Sequence, residues 1–564
     1  MKTLYSHAWT LVLCLFLVAC SGKNSSINNV ELIPGGKTYG GKVSFVSDEA
    51  VTNLFPLGAN DKYSMRIAFQ IFEGLLKLDG STLEIQPSIA ESFDINATGD
   101  IYTFTIRKGV LFHQDACFEK KQRELTPEDV KFSLDFACSG NELVFPDLNF
   151  INQVKGGKEY FDSKGKSSNG VEGIKVKGNK VEIHLNQPMM GFENFFTKSH
   201  FKIFPKEALD KYGKDIIKHP VGTGPFQLKE WTNDQILLER NTKYWRKDNL
   251  GNQLPYLSQI EMKYERDKRA EILAFRNKQI DLVLEVPADG INHLLGTLEE
   301  AKEGKNIKHK LETSSILGIE YLGFNHKVAP FNNVLVREAF ALCIDQEDLI
   351  INILEGDGFV PDNGYVPYFD LYENTTTTRS PNVERARQLL AEAGYNAKNP
   401  FPTIELYLTG EKGQKNDKIA RGVISQLKDG LGIKVDTKFV TFEERERLIQ
   451  DGKAAFWKAG WIGETVNPLD FLIHFRSNLA VANEYNYVSP IFDGYFQNAL
   501  TERDEMKRRN WIRAAQNEIE KDAVVIPLLR DNMIVMYNVR VRGLAASQLD
   551  VIDFTEVFIK EPRD

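Results

Sequence analysis

Beyond its first 19 residues the chain has no run of about 18 apolar residues, so no later segment reads as a membrane-spanning helix. Cysteine is scarce, 5 in 564 residues, and there is no Cys-x-x-Cys pair, which removes the usual spacing of zinc ribbons and dithiol redox sites. The 9 histidines are scattered, and His184, His219 and His474 stand singly on strands or loops, where a structural role is commoner than ligation. No Gly-x-Ser-x-Gly elbow and no His-Glu-x-x-His helix occur, so neither the serine-hydrolase nor the zinc-protease motif is present. Gly36 to Lys42 comes near a phosphate-binding loop. However, Val43 fills the Ser/Thr position, and the stretch precedes the first strand instead of joining a strand to a helix. Positive charge is not concentrated either: the net charge is −8 with both signs interspersed, which argues against a general nucleic-acid binder. Acidic residues are spaced as on a solvated surface and give a carboxylate-pair hydrolase no positive signal. No repeat of fixed period occurs, and no low-complexity tract lies outside the N-terminal region.

What is present is a chain with 42% hydrophobic and 26% charged residues, too long for one hydrophobic core, so two or three domains are expected. Lys2 and His7 precede an apolar run from Trp9 to Ala19, the pattern of an export signal over residues 1–19. Its end, Leu17-Val18-Ala19-Cys20-Ser21, resembles a bacterial lipobox, which implies lipidation of Cys20 and a mature chain anchored to a membrane by that lipid alone. Small and polar residues through Gly40-Gly41 read as a flexible tether over 20–41. Of the remaining cysteines, Cys14 leaves with the signal and Cys343 lies on the apolar face of a helical pattern, as a buried thiol. Cys117 and Cys138 are left, and in an exported protein they are predicted to form a disulfide. It would close a loop of about 20 residues and stabilise by about 3 kcal/mol.

Along the chain, Lys42 to Val46 reads as a strand and Ser64 to Leu76 carries apolar residues at helical spacing. Tyr102–Arg107 and Val110–His113 alternate on either side of Lys108-Gly109, which predicts a hairpin; Ile174–Val176 and Lys180–Leu185 predict another around Gly178-Asn179. Thr126-Pro127-Glu128-Asp129 opens a helix with an N-cap, a first-turn proline and two acids. Near 270–280 hairpins give way to alternating helices and strands, a domain crossing. A helix is predicted over Val334–Leu354, and another after Ser380-Pro381. Ile404–Leu408, Lys418–Leu431 and Ile433–Phe439 form a βαβ unit, which predicts a mostly parallel sheet. Glu502–Glu520 is a late helix, and Val524–Leu529 begins the closing strands.

Several of these stretches together resemble the family 5 extracellular solute-binding proteins, the peptide-binding receptors of ABC importers. Ala90-Glu91-Ser92-Phe93 with Tyr102 to His113 resembles the first signature, continued after an insertion by Leu125 to Ser133. Val221-Gly222-Thr223-Gly224-Pro225-Phe226 with Arg240-Asn241 and Tyr244-Trp245 resembles the second; Phe324-Asn325 through Pro330 to Ala339, ending Ile344-Asp345, resembles the third. The resemblance implies an α/β, two-lobed periplasmic-binding-protein fold of type II-like form with an extra subdomain in lobe I. Lobe I would comprise 42–275, with its subdomain at about 61–195, and lobe II 276–522, with 523–564 returning to lobe I. It also implies a non-enzymatic receptor without cofactor or metal, monomeric and extracytoplasmic, which encloses a peptide between the lobes and delivers it to an inner-membrane ABC permease. Its matching ligand motif is Ala459 to Pro468: Gly460 and Ile462 would offer backbone groups, Trp461 a wall, and Glu464 a contact for the ligand's α-ammonium, in place of the Asp often found there. Lys412, after the Ile404–Leu408 strand, is the candidate for the ligand carboxylate, and Asn60 and Asp61 are candidates on the opposite lobe. Receptors for a nickel chelate or an oligosaccharide, and an extracytoplasmic hydrolase, are the alternative readings.

Overall fold

The computed structural model describes residues 30–560 apart from 60, 81, 121, 285, 287–308, 368–378, 464, 478–484, 546–547 and 550, and the side chain of 443. The signal segment, Cys14, Cys20, Asn60 and Glu464 lie outside the described residues. No helix among the described residues is long and apolar enough to cross a membrane.

Two sheets organise the first half. Phe226–Trp231, Gln235–Arg240, Gln259–Tyr264 and Lys42–Ser47 lie side by side in that order; only the last pair is parallel. The second sheet is wholly antiparallel, in the order Ala90–Ile95, Ile101–Ile106, Lys180–His184, Ile174–Lys177. The hairpin around Gly178-Asn179 forms as expected, but the one around Lys108-Gly109 does not. Gly109, at φ +76, turns the chain away, and Val110 and Phe112 bond instead to Leu125 and Arg123 across the insertion. His113 continues to the glycine-rich stretch: its amide donates to Gly222 O, and its ring nitrogen Nε2 lies 2.9 Å from Gly224 O. Thr126 and Asp129 close a full capping box on the helix Pro127–Ala137.

Cys117 and Cys138 are separate thiols, so the predicted disulfide is not formed. Cys117 sits in the insertion near Asp115 and Glu207, whereas Cys138 caps the far end of the helix Pro127–Ala137, buried near Asp135 and Asp147. An oxidising compartment permits a bond but does not bring two side chains together. Thiol titration of the denatured protein should therefore return the same count with and without prior reduction. Cys343 is a buried thiol, as expected, and donates to Gln426 O at 3.3 Å.

A buried carboxylate ties the family-marker stretches of this half together. Glu73 accepts from Thr223 Oγ1 at 2.9 Å, Tyr244 Oη at 2.8 Å and Trp245 Nε1 at 3.0 Å. Burial, the largest influence, raises its pKa against these three donors. Arg107 stacks over the Trp245 ring, with its guanidinium 4.3 Å from the ring centre.

The second half is built on a five-stranded sheet in the order Val435–Phe439, Ile404–Leu408, Phe456–Ile462, Gly318–Phe324, Val525–Leu529. The first three strands are parallel and the last two pairings antiparallel, so the sheet is mixed. The long helix expected over 334–354 is broken: Ile344 is extended, and Asp345 accepts from the amide of Asp348 to start a new turn. The closing segment also divides. Val525–Leu529 stays with the second half, Asn532–Asn538 joins a three-stranded sheet between Leu282–Val283 and His309–Ser315, and only the chain after it returns fully to the first half. There Gln70 Nε2 donates to Ile552 O at 2.6 Å, and Phe554 stacks on Phe45. Buried Asp281 binds the crossing, accepting from Ser44 N at 3.0 Å and from Arg540 Nη2 at 2.6 Å.

Glu520, in the helix Glu505–Lys521, has its carboxyl pushed up to about 7 from the ordinary 4.5, chiefly by burial. Between those values the folded chain holds a proton that the unfolded chain releases, so stability falls as pH rises through the window. Glu520→Gln should flatten the slope of unfolding free energy between pH about 5 and 7; an unchanged slope in urea titrations contradicts this assignment.

Candidate ligand-binding site

The strand Phe456–Ile462 alternates strictly. Phe456, Lys458, Gly460 and Ile462 share one face; Trp457, Ala459 and Trp461 share the other. One edge pairs along its whole length with Gly318–Phe324. The other edge meets Ile404–Leu408 only at the Tyr407–Trp457 bridge, because that neighbour ends first. Backbone groups also alternate between edges. Lys458 O faces the neighbour's side, where Arg445 Nη1 donates to it at 3.2 Å, while Gly463 N faces the other side and donates to Leu317 O at 2.7 Å. The N–H and C=O of Gly460 and Ile462 therefore point to the open edge, where no described residue pairs with them. Gly460 is exposed and Ile462 is 52% exposed.

Trp461 is half-buried and stands against His474, ring centres 4.1 Å apart. Burial, helped by the charge of Lys198, holds the His474 ring at about 4, so it is neutral near pH 7. The nitrogens Trp461 Nε1 and His474 Nε2 are buried without a hydrogen-bond partner among the described residues. Near this end of the strand the halves meet: the charge of Lys198 acts on His474, and a Cβ on Gly191 would lie 3.1 Å from Asn467 Nδ2.

The opposite face carries charge. Lys458 pairs with Glu320 and donates to Asn416 Oδ1, and Lys415 bridges Asp357 at 3.0 Å and Asp531 at 2.8 Å. Burial foremost raises the Glu320 pKa. Sequence reasoning missed Glu320, Lys458 and Glu73. A charged residue inside each apolar run, Ile319-Glu320-Tyr321, Trp457-Lys458-Ala459 and Phe72-Glu73-Gly74, was the available signal.

The remaining candidates are placed less centrally. Lys412 is exposed in the turn before the helix Lys415–Leu431 and makes no ion pair among the described residues. Asp61 caps the helix Lys62–Ile71, its Oδ1 accepting from Ser64 N at 2.8 Å. No group of three or more His, Cys, Asp or Glu side chains among the described residues is placed to hold a metal ion.

The model of the bacterial extracellular solute-binding proteins, family 5, matches residues 84–483. The dipeptide-binding protein DppE of Bacillus subtilis is 26% identical, with 98% of each chain covered. The periplasmic oligopeptide-binding protein OppA of Escherichia coli is 27% identical over 88% of each. Among solved structures, the ABC transporter-associated periplasmic binding protein DppA from Helicobacter pylori, in complex with the peptide STSA, superposes with a TM-score of 0.73. That match has 24% identity and covers 93% of this chain and 99% of the other. With that architecture and a family match spanning most of its length, the chain belongs to the bacterial extracellular solute-binding proteins of family 5.

Proposed function

We propose that the protein is the peptide-binding receptor of an ABC importer, lipid-anchored through Cys20 on the extracytoplasmic side of a membrane and acting as a monomer without catalysis. The observation that carries this reading is the open edge at Gly460 and Ile462. An extended peptide satisfies its own backbone by adding a strand there, which gives affinity without regard to sequence. Two lobes, with the three-stranded crossing around Asp281 between them, enclose the ligand and exclude water, strengthening each polar contact inside. Trp461 walls the site. Glu464, immediately beyond the strand, takes the α-ammonium, and the unpaired Lys412 takes the carboxylate. Asn60 and Asp61 contribute from the opposite lobe, Asp61 through the oxygen that does not cap its helix. An ABC permease receives the peptide.

Calorimetric titration of the chain with defined peptides tests the reading. Saturable heat with the peptide recovered intact is the expected result; cleaved product, or saturation only by a nickel chelate or an oligosaccharide, overturns it. Glu464→Lys should abolish binding of free-amino peptides, while an unchanged affinity removes the ammonium role.

A further inference from the structure

Glu320 stands directly opposite Gly460 in the antiparallel pairing, so its side chain shares the face of Gly460 and Lys458. A Cβ on residue 460 would lie 2.5 Å from Glu320 Oε1. The carboxylate thus lies over the glycine, and the missing side chain lets a group from the strand behind reach toward the open edge. Glu320 Oε2 pairs with Lys458. Glu320 Oε1 is the oxygen that lies over the glycine, and Lys458 is the one ion-pair partner of this carboxylate among the described residues. Asp357 and Asp531 already share Lys415, so three carboxylates in this network face two ammonium groups and one negative charge is left over.

A ligand strand on that edge places one residue beside Gly460 with its side chain on the same face. Glu320, Gly460 and that residue then form a row across three strands, spaced about 4.8 Å apart. The outer two α-carbons are about 10 Å apart, a span that a glutamate and a lysine or arginine reach together across a glycine. Resting on the receptor reading above, we propose that Glu320 selects a basic side chain, lysine or arginine, at the peptide residue paired beside Gly460. An acidic side chain there meets an uncompensated carboxylate and is rejected, and a neutral one leaves the charge unmet.

Calorimetry on the full chain with tetra-alanine, and with single-position lysine, norleucine and glutamate variants of it, tests this. Norleucine keeps the length of lysine without its charge. At one position lysine should bind about tenfold more tightly than norleucine, and glutamate more weakly than either. Raising the salt concentration should shrink the difference. Glu320→Gln should bring lysine and norleucine together while retaining tetra-alanine binding. If it folds poorly with Lys458 left unpaired, the double change E320Q/K458M carries the same expectation. Equal affinity for lysine and norleucine at all positions of the unaltered chain overturns the selection and leaves the receptor reading standing. A chain that binds none of these peptides overturns both.

Discussion

Gly222→Ala should cost the fold about 4 kcal/mol or more, a large share of an ordinary chain's stability and enough to move the urea transition to a much lower midpoint. A Cβ at 222 would lie 2.0 Å from Ile71 O and 2.8 Å from Ile71 C, which are backbone atoms with no rotamer to change. The helix end is also pinned. Phe72 N donates to Ala68 O at 2.9 Å and Gly224 N donates to Ile71 O at 2.8 Å, so moving Ile71 breaks bonds on both sides. Gly222 itself does not lie in the left-handed region, so alanine meets no backbone objection and the effect isolates the close approach. Between the two glycines, Thr223 is 1% exposed and donates to Glu73, so any shift also strains the node that holds Tyr244 and Trp245. Thr223→Val, which removes one donor and keeps the shape, should cost about 1–3 kcal/mol. A Gly222→Ala protein within about 1 kcal/mol of the parent would contradict the whole account of this contact.

Ile462→Pro should reduce peptide affinity about 10- to 100-fold while leaving thermal stability nearly unchanged. The amide of Ile462 points to the open edge and has no partner among the described residues, so proline removes nothing the fold uses. Its preference for extended backbone at the preceding residue is already met, because Trp461 is in the strand. A bound peptide, in contrast, loses the donor that would meet one of its carbonyls and leaves that carbonyl unsatisfied in an enclosed site. Far-ultraviolet circular dichroism and the melting temperature supply the control, and calorimetric affinity is the readout. Undiminished affinity in a folded variant would mean that the ligand does not pair along this edge.

Much of the fold was legible because it is written locally. The capping box at Thr126 and Asp129 and the βαβ order from Ile404 to Phe439 are each written in one continuous stretch of chain. Pairing over long separations is not written that way. Ile101–Ile106 joins Lys180–His184, far away in sequence, whereas alternation alone favoured the adjacent Val110–His113. The break at Ile344 was hidden because helical spacing continues on both sides of it; only Asp345 as a cap marks it. In the site, the motif named Gly460, Trp461 and Ile462 but neither the strand they share nor its charged face. Glu320 is far from Lys458 along the chain, and only the register across two strands shows that its carboxylate lies over a glycine.

The brevity of the open edge has a consequence for life at high concentration. Unpaired strand edges are templates for other chains, and long ones invite aggregation. Here Arg445 occupies the carbonyl at Lys458, and the strand itself ends at Ile462. Two molecules meeting edge to edge would gain only the few bonds that Gly460 and Ile462 offer, and each would bring a guanidinium up to the other. A folded neighbour therefore has little to hold, and on the receptor reading proposed above the edge would take a short guest strand where it would not take a second copy of the chain.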